Sequence, residues 1–457
     1  MLDRTCFESD PPGLSGLKRT PGARTRGWIA PGPLLARKVR LPFSEVRTMS
    51  NRSCSPRALL LLGLLATSCA MSGKTSPGAE PSTQTAPQGA QEERGAAAML
   101  DHFPTLEKRP SGLEVVARLE QTPGNIAITP EGRIFLSQHP FGAPKYAVVE
   151  LLPGGTTRPY PTEQWASAPG PDGTGLQTVI GLESDKNGVL WILDNGKGGG
   201  EGAKLVGWDT RGEKLVKTIP LPKPVAASNS FLQDLVVDPD RGVAVLADMG
   251  RGDLVGESMP ALVVVDLKSG QGRRVLQGHP SLQPEDVPMV VEGRHITVAD
   301  KQGKQVEPRL GLNPIALDPK GEWLYFGSMN GRTVWRVRMD DVLDPKLSTE
   351  ELGQKVKPYG QKAVSDGMSI DSVGNLYITD LGAGAIGVTR PDDPYELYVK
   401  DELLQWPDGL TYGPDGYFYV TVNQLHRHAA LNQGKSATRP PFLVVRFKPL
   451  APSAVGR

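Results

Sequence analysis

Past residue 69 the chain has no cysteine. Its three are Cys6, Cys54 and Cys69, so the long C-terminal part can form neither a disulfide nor a thiolate metal site. An excess of either charge is also missing. With 22% charged residues and a formal net charge of +1, nothing points to a basic nucleic-acid surface or an acidic tail. The apolar run 58–66 is too short to cross a bilayer, which takes about 20 apolar residues. Aromatics are only 6%. What is plentiful is Gly, with 53 residues, and Pro, with 42, which suits a fold of many turns. The length allows packing alone to hold such a fold together.

The first hundred residues carry targeting signals and no fold pattern. Arg52 and Arg57 precede the apolar run, which ends in small residues, as in a secretory signal peptide over 49–69. Leu65-Ala66-Thr67-Ser68 before Cys69 is similar to a bacterial lipoprotein signal, in which the cysteine is lipidated and becomes the mature N-terminus. Residues 1–48, rich in Arg, Pro and Gly, are expected to be a non-native extension from an upstream start codon. Residues 70–100 are a Ser/Pro/Gln/Gly/Ala linker with little to bury, expected to be disordered. The expectation is a secreted or periplasmic protein, a lipoprotein anchored to a bacterial outer membrane through Cys69, with plain secretion after cleavage nearby as the alternative.

Beyond the linker one pattern recurs six times: an apolar strand, a turn ending in Gly, and a second apolar or aromatic strand. "NPIALDPKGEWLYFGSMN" turns at Gly321, and the other copies turn at Gly132, Gly188, Gly242, Gly374 and Gly416. The Asp-Pro-x-Gly chemistry fits type I turns with Gly supplying positive φ. Further short strands follow each copy, such as "AKLVGWDT" and "EKLVKTIPL". Six units of four antiparallel strands predict an all-β, six-bladed β-propeller over 101–449, with 450–457 as a tail. One stretch breaks the spacing, "HPSLQPEDVPMVVEGRHITVADKQGKQVEPRL", an insertion in or beside blade four. The last unit has only three strands. "LEVVARL", 113–119, has no blade of its own, so it is expected to pair with the C-terminal strands and close the ring.

"LWILDNG", "SFLQDLVVD", "GHPSLQPE" and "GLNPIALDPKGEWLYFGSMNGRTVWRV" resemble the major royal jelly protein/yellow family over roughly 113–449. The resemblance implies a secreted six-bladed propeller that in some members binds small amines in its central tunnel. Other members have been linked to converting oxidised catechols, with no agreed catalytic set to transfer. The lack of cysteine in the domain and the bacterial-type signal depart from the family pattern.

If the Gly turns gather on one face, the starts of first strands and the ends of second strands lie on the other. That rim carries Asn125, Asp234, Asn313, Asp366 and Asp408 from first strands, and His139, Asp194, Asp248, Ser328, Asp380 and Asn423 from second strands. Asn and Asp also favour strand ends for local hydrogen bonding, but a full ring suggests a preformed ligand site for a cation, amine or polyhydroxyl compound. One alternating position within the first strands reads Ala127, Glu183, Val236, Ala316, Ser369 and Thr411, the expected tunnel wall. Glu183 stands out there, either as a hydrated carboxylate paired with Lys or Arg, or as a ligand anchor or general base. His426 and His428 could face one way as a metal pair if their segment were a strand, but the surrounding sequence reads as a loop. Gly196–Gly202 lacks the Ser/Thr of a phosphate loop and reads as a flexible lip over the tunnel.

The leading expectation is a binding propeller for a small polar or cationic molecule, with no nucleic-acid partner. A calcium-dependent lactonase or hydrolase resembling gluconolactonase-type propellers is the rival, with Asn125, Glu183, Asn313 and Asp366 imitating its Ca2+ set. Those enzymes usually carry a Glu where this chain has Gly124-Asn125. An envelope interaction scaffold is the third reading.

Overall fold

A computed structural model describes Phe103 and residues 105–198 and 200–456. The extension, signal, Cys69 and linker lie outside the described residues. Six antiparallel sheets surround an axis. Blade 1 runs from Pro123–Ile128 through Ile134–Gln138 and Val148–Leu151 to Thr157–Pro159. The innermost strands of blades 2 to 6 are Val179–Ser184, Leu232–Asp238, Leu312–Leu317, Ser365–Ile370 and Pro407–Tyr412. Each packs beside the next, and the sixth packs beside the first. All six turn glycines have positive φ, from 66° at Gly242 to 93° at Gly374, the region that side chains with a Cβ avoid.

Ring closure uses the N-terminal strand. Glu114–Leu119 pairs antiparallel with Phe442–Phe447, so the final blade joins the two ends of the domain. Apolar alternation on both faces of each blade then builds six cores, one between each pair of neighbours. The tail is also ordered. The Leu450 N–H donates to Tyr377 Oη at 2.7 Å and Ser453 Oγ donates to the Ile370 carbonyl at 2.6 Å. Gly456 then lies against the backbone of Asp185 and Lys186. The tail thus passes from blade 5 to blade 2, opposite members of a six-membered ring, and crosses the turn-side end of the tunnel.

A seventh apolar cluster lies outside the blades, at the other end. Two excursions roof it. One is the insertion between blades 3 and 4, which folds as two small hairpins, Val290–Val291 with Arg294–His295 and Val298–Ala299 with Gln305–Val306. The other is the loop with 3-10 turns Leu425–Arg427 and Ala429–Leu431. They are tied together: Arg294 Nη1 donates to Asn432 Oδ1 at 2.9 Å, and Glu292 pairs with Arg427 and lies 3.2 Å from His426 Nε2.

Candidate functional site

The first strand of every blade has an irregular register near its start. In blade 1, Pro123 opposes Gln138 and Ile126 opposes Leu136, so Gly124 and Asn125 share the single residue Ser137. Asp366-Gly367 likewise share Thr379, and Asp408-Gly409 share Thr421. A bulge of this kind re-aims side chains. The facing hydroxyls take up the freed backbone groups: Ser137, Thr379 and Thr421 accept from the N–H groups of Asn125, Gly367 and Gly409 at 2.8, 2.8 and 3.0 Å. Glycine is needed because the bulges nearly touch; a Cβ on Gly367 would lie 2.1 Å from the Asp408 carbonyl oxygen.

The bulges bring Asn125, Asp234, Asn313, Asp366 and Asp408 to one central cavity, with Glu183 on its wall. Val236, Ala316, Ser369 and Thr411 line it too, whereas Ala127 belongs to the core between blades 1 and 2. Each aspartate is held by a neighbour's N–H. Asn125 Nδ2 donates to Asp234 at 2.9 Å and Asn313 Nδ2 to Asp366 at 2.7 Å. Asn423 Nδ2 donates to Asp408 at 2.6 Å, and Trp406 Nε1 reaches Asp366 Oδ2 at 2.7 Å. Among the described residues, no Lys or Arg forms an ion pair with Glu183, Asp234, Asp366 or Asp408; the Lys or Arg partner expected for Glu183 is therefore not found.

Uncompensated burial shifts these acids upward. Burial, opposed by its hydrogen bonds, raises Asp234 to about 7. Asp366 rises to about 6 for the same reason, against the pull of Trp406 and Asn313. Asp408 goes well above the ordinary carboxylate range, through burial first and the Asp366 charge second. Glu183 is raised by burial and by Asp234. Near neutral pH the ring therefore holds protons that a bound cation would displace.

Above the ring opens the roofed apolar chamber, lined by Phe141, Phe231, Met249, Met289, Met329 and Trp406 among others. Asp366, Asp408, Gln233 and Ile180 line both chamber and tunnel cavity, so they form the neck between them. Each space measures about 40 Å³, room for a few waters. Trp406 is fully buried at φ 65°, an unusual conformation for a bulky residue, and stacks at 7° on His426.

Other rim residues go elsewhere. His139 lines the chamber, its Nδ1 accepting from the Phe141 N–H at 3.2 Å, and burial lowers its pKa to about 3. Asp194 caps backbone N–H groups of Gln177, Thr178 and Gly196. Asp248 accepts from Phe231 and Gly250 and pairs with Arg274 at 2.6 Å. Asp380 accepts from the Ala383 N–H and from Tyr395 Oη. These three aspartates line neither central space, because local donors hold them in their loops. Ser328 is buried at the end of its strand and lines neither. His426 and His428 do not act as a pair: one stacks on Trp406 and the other on Phe442, with Nε2 3.1 Å from Thr122 Oγ1. Gly200 of the glycine loop packs against Ala226, and its described residues line neither space. Among the described residues, no three His, Cys, Asp or Glu side chains are grouped to hold a metal ion.

Gln233, Trp406 and the apolar residues of the chamber were not expected. Strict alternation gives only one of Gln233 and Asp234 to the rim, but the bulge brings both. Trp406 had a weak signal, "QWPDGL", where a tryptophan stands before Pro-Asp-Gly and outside the apolar run of the strand.

The fold and site define a six-bladed propeller with a buried acidic neck beneath an apolar chamber. The sequence profile of the major royal jelly protein family matches residues 177–448, and the chain belongs to that family. Among curated protein sequences none matches it. A luciferin-regenerating enzyme overlays with a TM-score of 0.48 at 12% identity, covering 75% of this chain and 96% of that one. A gluconolactonase from Xanthomonas campestris gives 0.45 at 13%, covering 74% and 89%. A virginiamycin B lyase from Staphylococcus aureus gives 0.43 at 14%, covering 74% and 99%. Overlap this weak carries no argument about activity.

Proposed function

We propose that this protein binds a small amine, with the ammonium group in the acidic neck and an apolar body in the chamber above. The observation that supports it is the join itself. Two buried carboxylates without a basic partner, Asp366 and Asp408, stand where the tunnel cavity meets a space walled by Met, Phe, Leu and Trp. An unpaired buried carboxylate is costly, and a cation offsets that cost. The chamber favours an aryl or alkyl group and is too small for a large one. Amine- or catechol-like molecules fit this description. Export and lipid anchoring at Cys69 belong to the same reading, on the sequence signal alone.

Thermal unfolding with phenethylamine, calcium and a lactone tests it. Phenethylamine should raise the melting temperature, and Asp366→Asn with Asp408→Asn should abolish the response. The same double variant should melt higher without ligand at pH 8. A carboxyl group that folding makes a weaker acid destabilises the fold progressively as the pH rises from its ordinary pKa to its raised one, by about 1.4 kcal/mol for every tenfold loss of acidity. A response to calcium alone would favour the lactonase-like reading. A response retained in the double variant would remove the neck from consideration.

A further inference from the structure

We infer that Gln233 makes the neck selective for primary ammonium groups over quaternary ones, an inference that rests on the amine reading above. Gln233 is 9% exposed and lines both the tunnel cavity and the chamber, yet its Oε1 is buried with no protein donor. The hydrogen bonds made by the N–H groups around it go to carboxylates instead. Asn125, Asn313 and Trp406 turn theirs onto Asp234 and Asp366, and Asn423 turns its own onto Asp408. The neck residues thus offer three acceptor groups, Asp366, Asp408 and the Gln233 carbonyl, beside the Gln233 NH2 and the apolar Ile180.

Three acceptors match the three N–H donors of a primary ammonium group. A trimethylammonium group carries the same charge but no N–H, so it would leave the Gln233 oxygen unpaired in a dry site. Sites with buried polar groups discriminate strongly against ligands that cannot satisfy them. The bulge after Leu232 explains why the amide is there: it carries Gln233 and Asp234 inward together.

Calorimetric affinities of the full chain for phenethylamine and its N,N,N-trimethyl analogue test the assignment. The primary amine should bind about tenfold tighter or better. In Gln233→Met, which keeps the length and apolar stem, that ratio should fall towards one. Were the trimethyl group excluded only by size, the ratio would be unchanged in Gln233→Met, and the assignment would be overturned. Gln233→Glu keeps an acceptor in place and should keep the preference; losing it there would also overturn the assignment, and this variant decides the matter if Gln233→Met fails to fold. Equal binding of both amines by the parent protein removes the selectivity but leaves the amine reading standing. No binding of either removes both.

Discussion

At the scale of single residues, the site works through donors that keep acids in place. The indole of Trp406 is the clearest case, because its backbone adopts φ 65° while its Nε1 reaches Asp366 at 2.7 Å. Strain of order 1–3 kcal/mol at a buried position persists where the surroundings fix it, and it tends to mark functional sites. Trp406→Phe keeps an aromatic ring and the backbone cost but removes the pyrrole part of the indole with its N–H. Hydrogen bonds to charged groups contribute about 1.5–3 kcal/mol. The Asp366 carboxylate should become harder to ionise, and phenethylamine affinity measured by calorimetry should drop about tenfold or more. Unchanged affinity would show that the indole only fills space. Single residues were also where the sequence was least informative. Asp194, Asp248 and Asp380 share the residue type and strand position of ring members, but backbone N–H groups and partners such as Arg274 and Tyr395 claim them. Some donors are the next loop residues, such as Gly250, but Arg274 lies on another strand and Tyr395 just before one, beyond the reach of a periodicity argument.

At the scale of elements, two kinds of glycine do different work. Gly242 turns between strands at φ 66° with open space around it, so only its backbone conformation matters. Gly367 lies in a bulge, where a Cβ would collide with the neighbouring blade at Asp408. Gly242→Ala should cost about 1 kcal/mol of stability and leave amine binding intact. Gly367→Ala should cost more, about 2 kcal/mol or above, and weaken amine binding because the displacement falls on Asp408 itself. Denaturant melts paired with amine titration check both; equal effects of the two substitutions would contradict the bulge argument. The turn glycines were plain in the sequence because Asp-Pro-x-Gly chemistry is local. The bulges were not, since a bulge is a mismatch between two strands. Only "DG", "NP" and "GN" at the strand starts hinted at them.

For the molecule as a whole, six repeats and the spare strand 113–119 sufficed to foresee a closed ring with its Gly turns on one face. The chamber was hidden because its walls come from blades 1, 3 and 4, the insertion, Trp406 and the loop 425–431, far apart in the chain. The ordered tail at the turn face and the roofed chamber at the other leave an acidic neck deep inside a protein of nearly neutral charge. Protons then offset the cost of the buried charge: burial raises Asp366 to about 6 and Asp408 well above the ordinary carboxylate range. Binding an ammonium favours the ionised acids and lowers both values, so it must expel protons near neutrality, and acidification must weaken binding.

Titration calorimetry with phenethylamine at pH 7, repeated in buffers of different ionisation enthalpy, counts those protons. Net release on binding, with affinity falling as the pH is lowered from 8 to 5, is the outcome that follows from an ammonium seated between Asp366 and Asp408. Heat independent of the buffer, or affinity that rises on acidification, would place the ligand somewhere other than the neck.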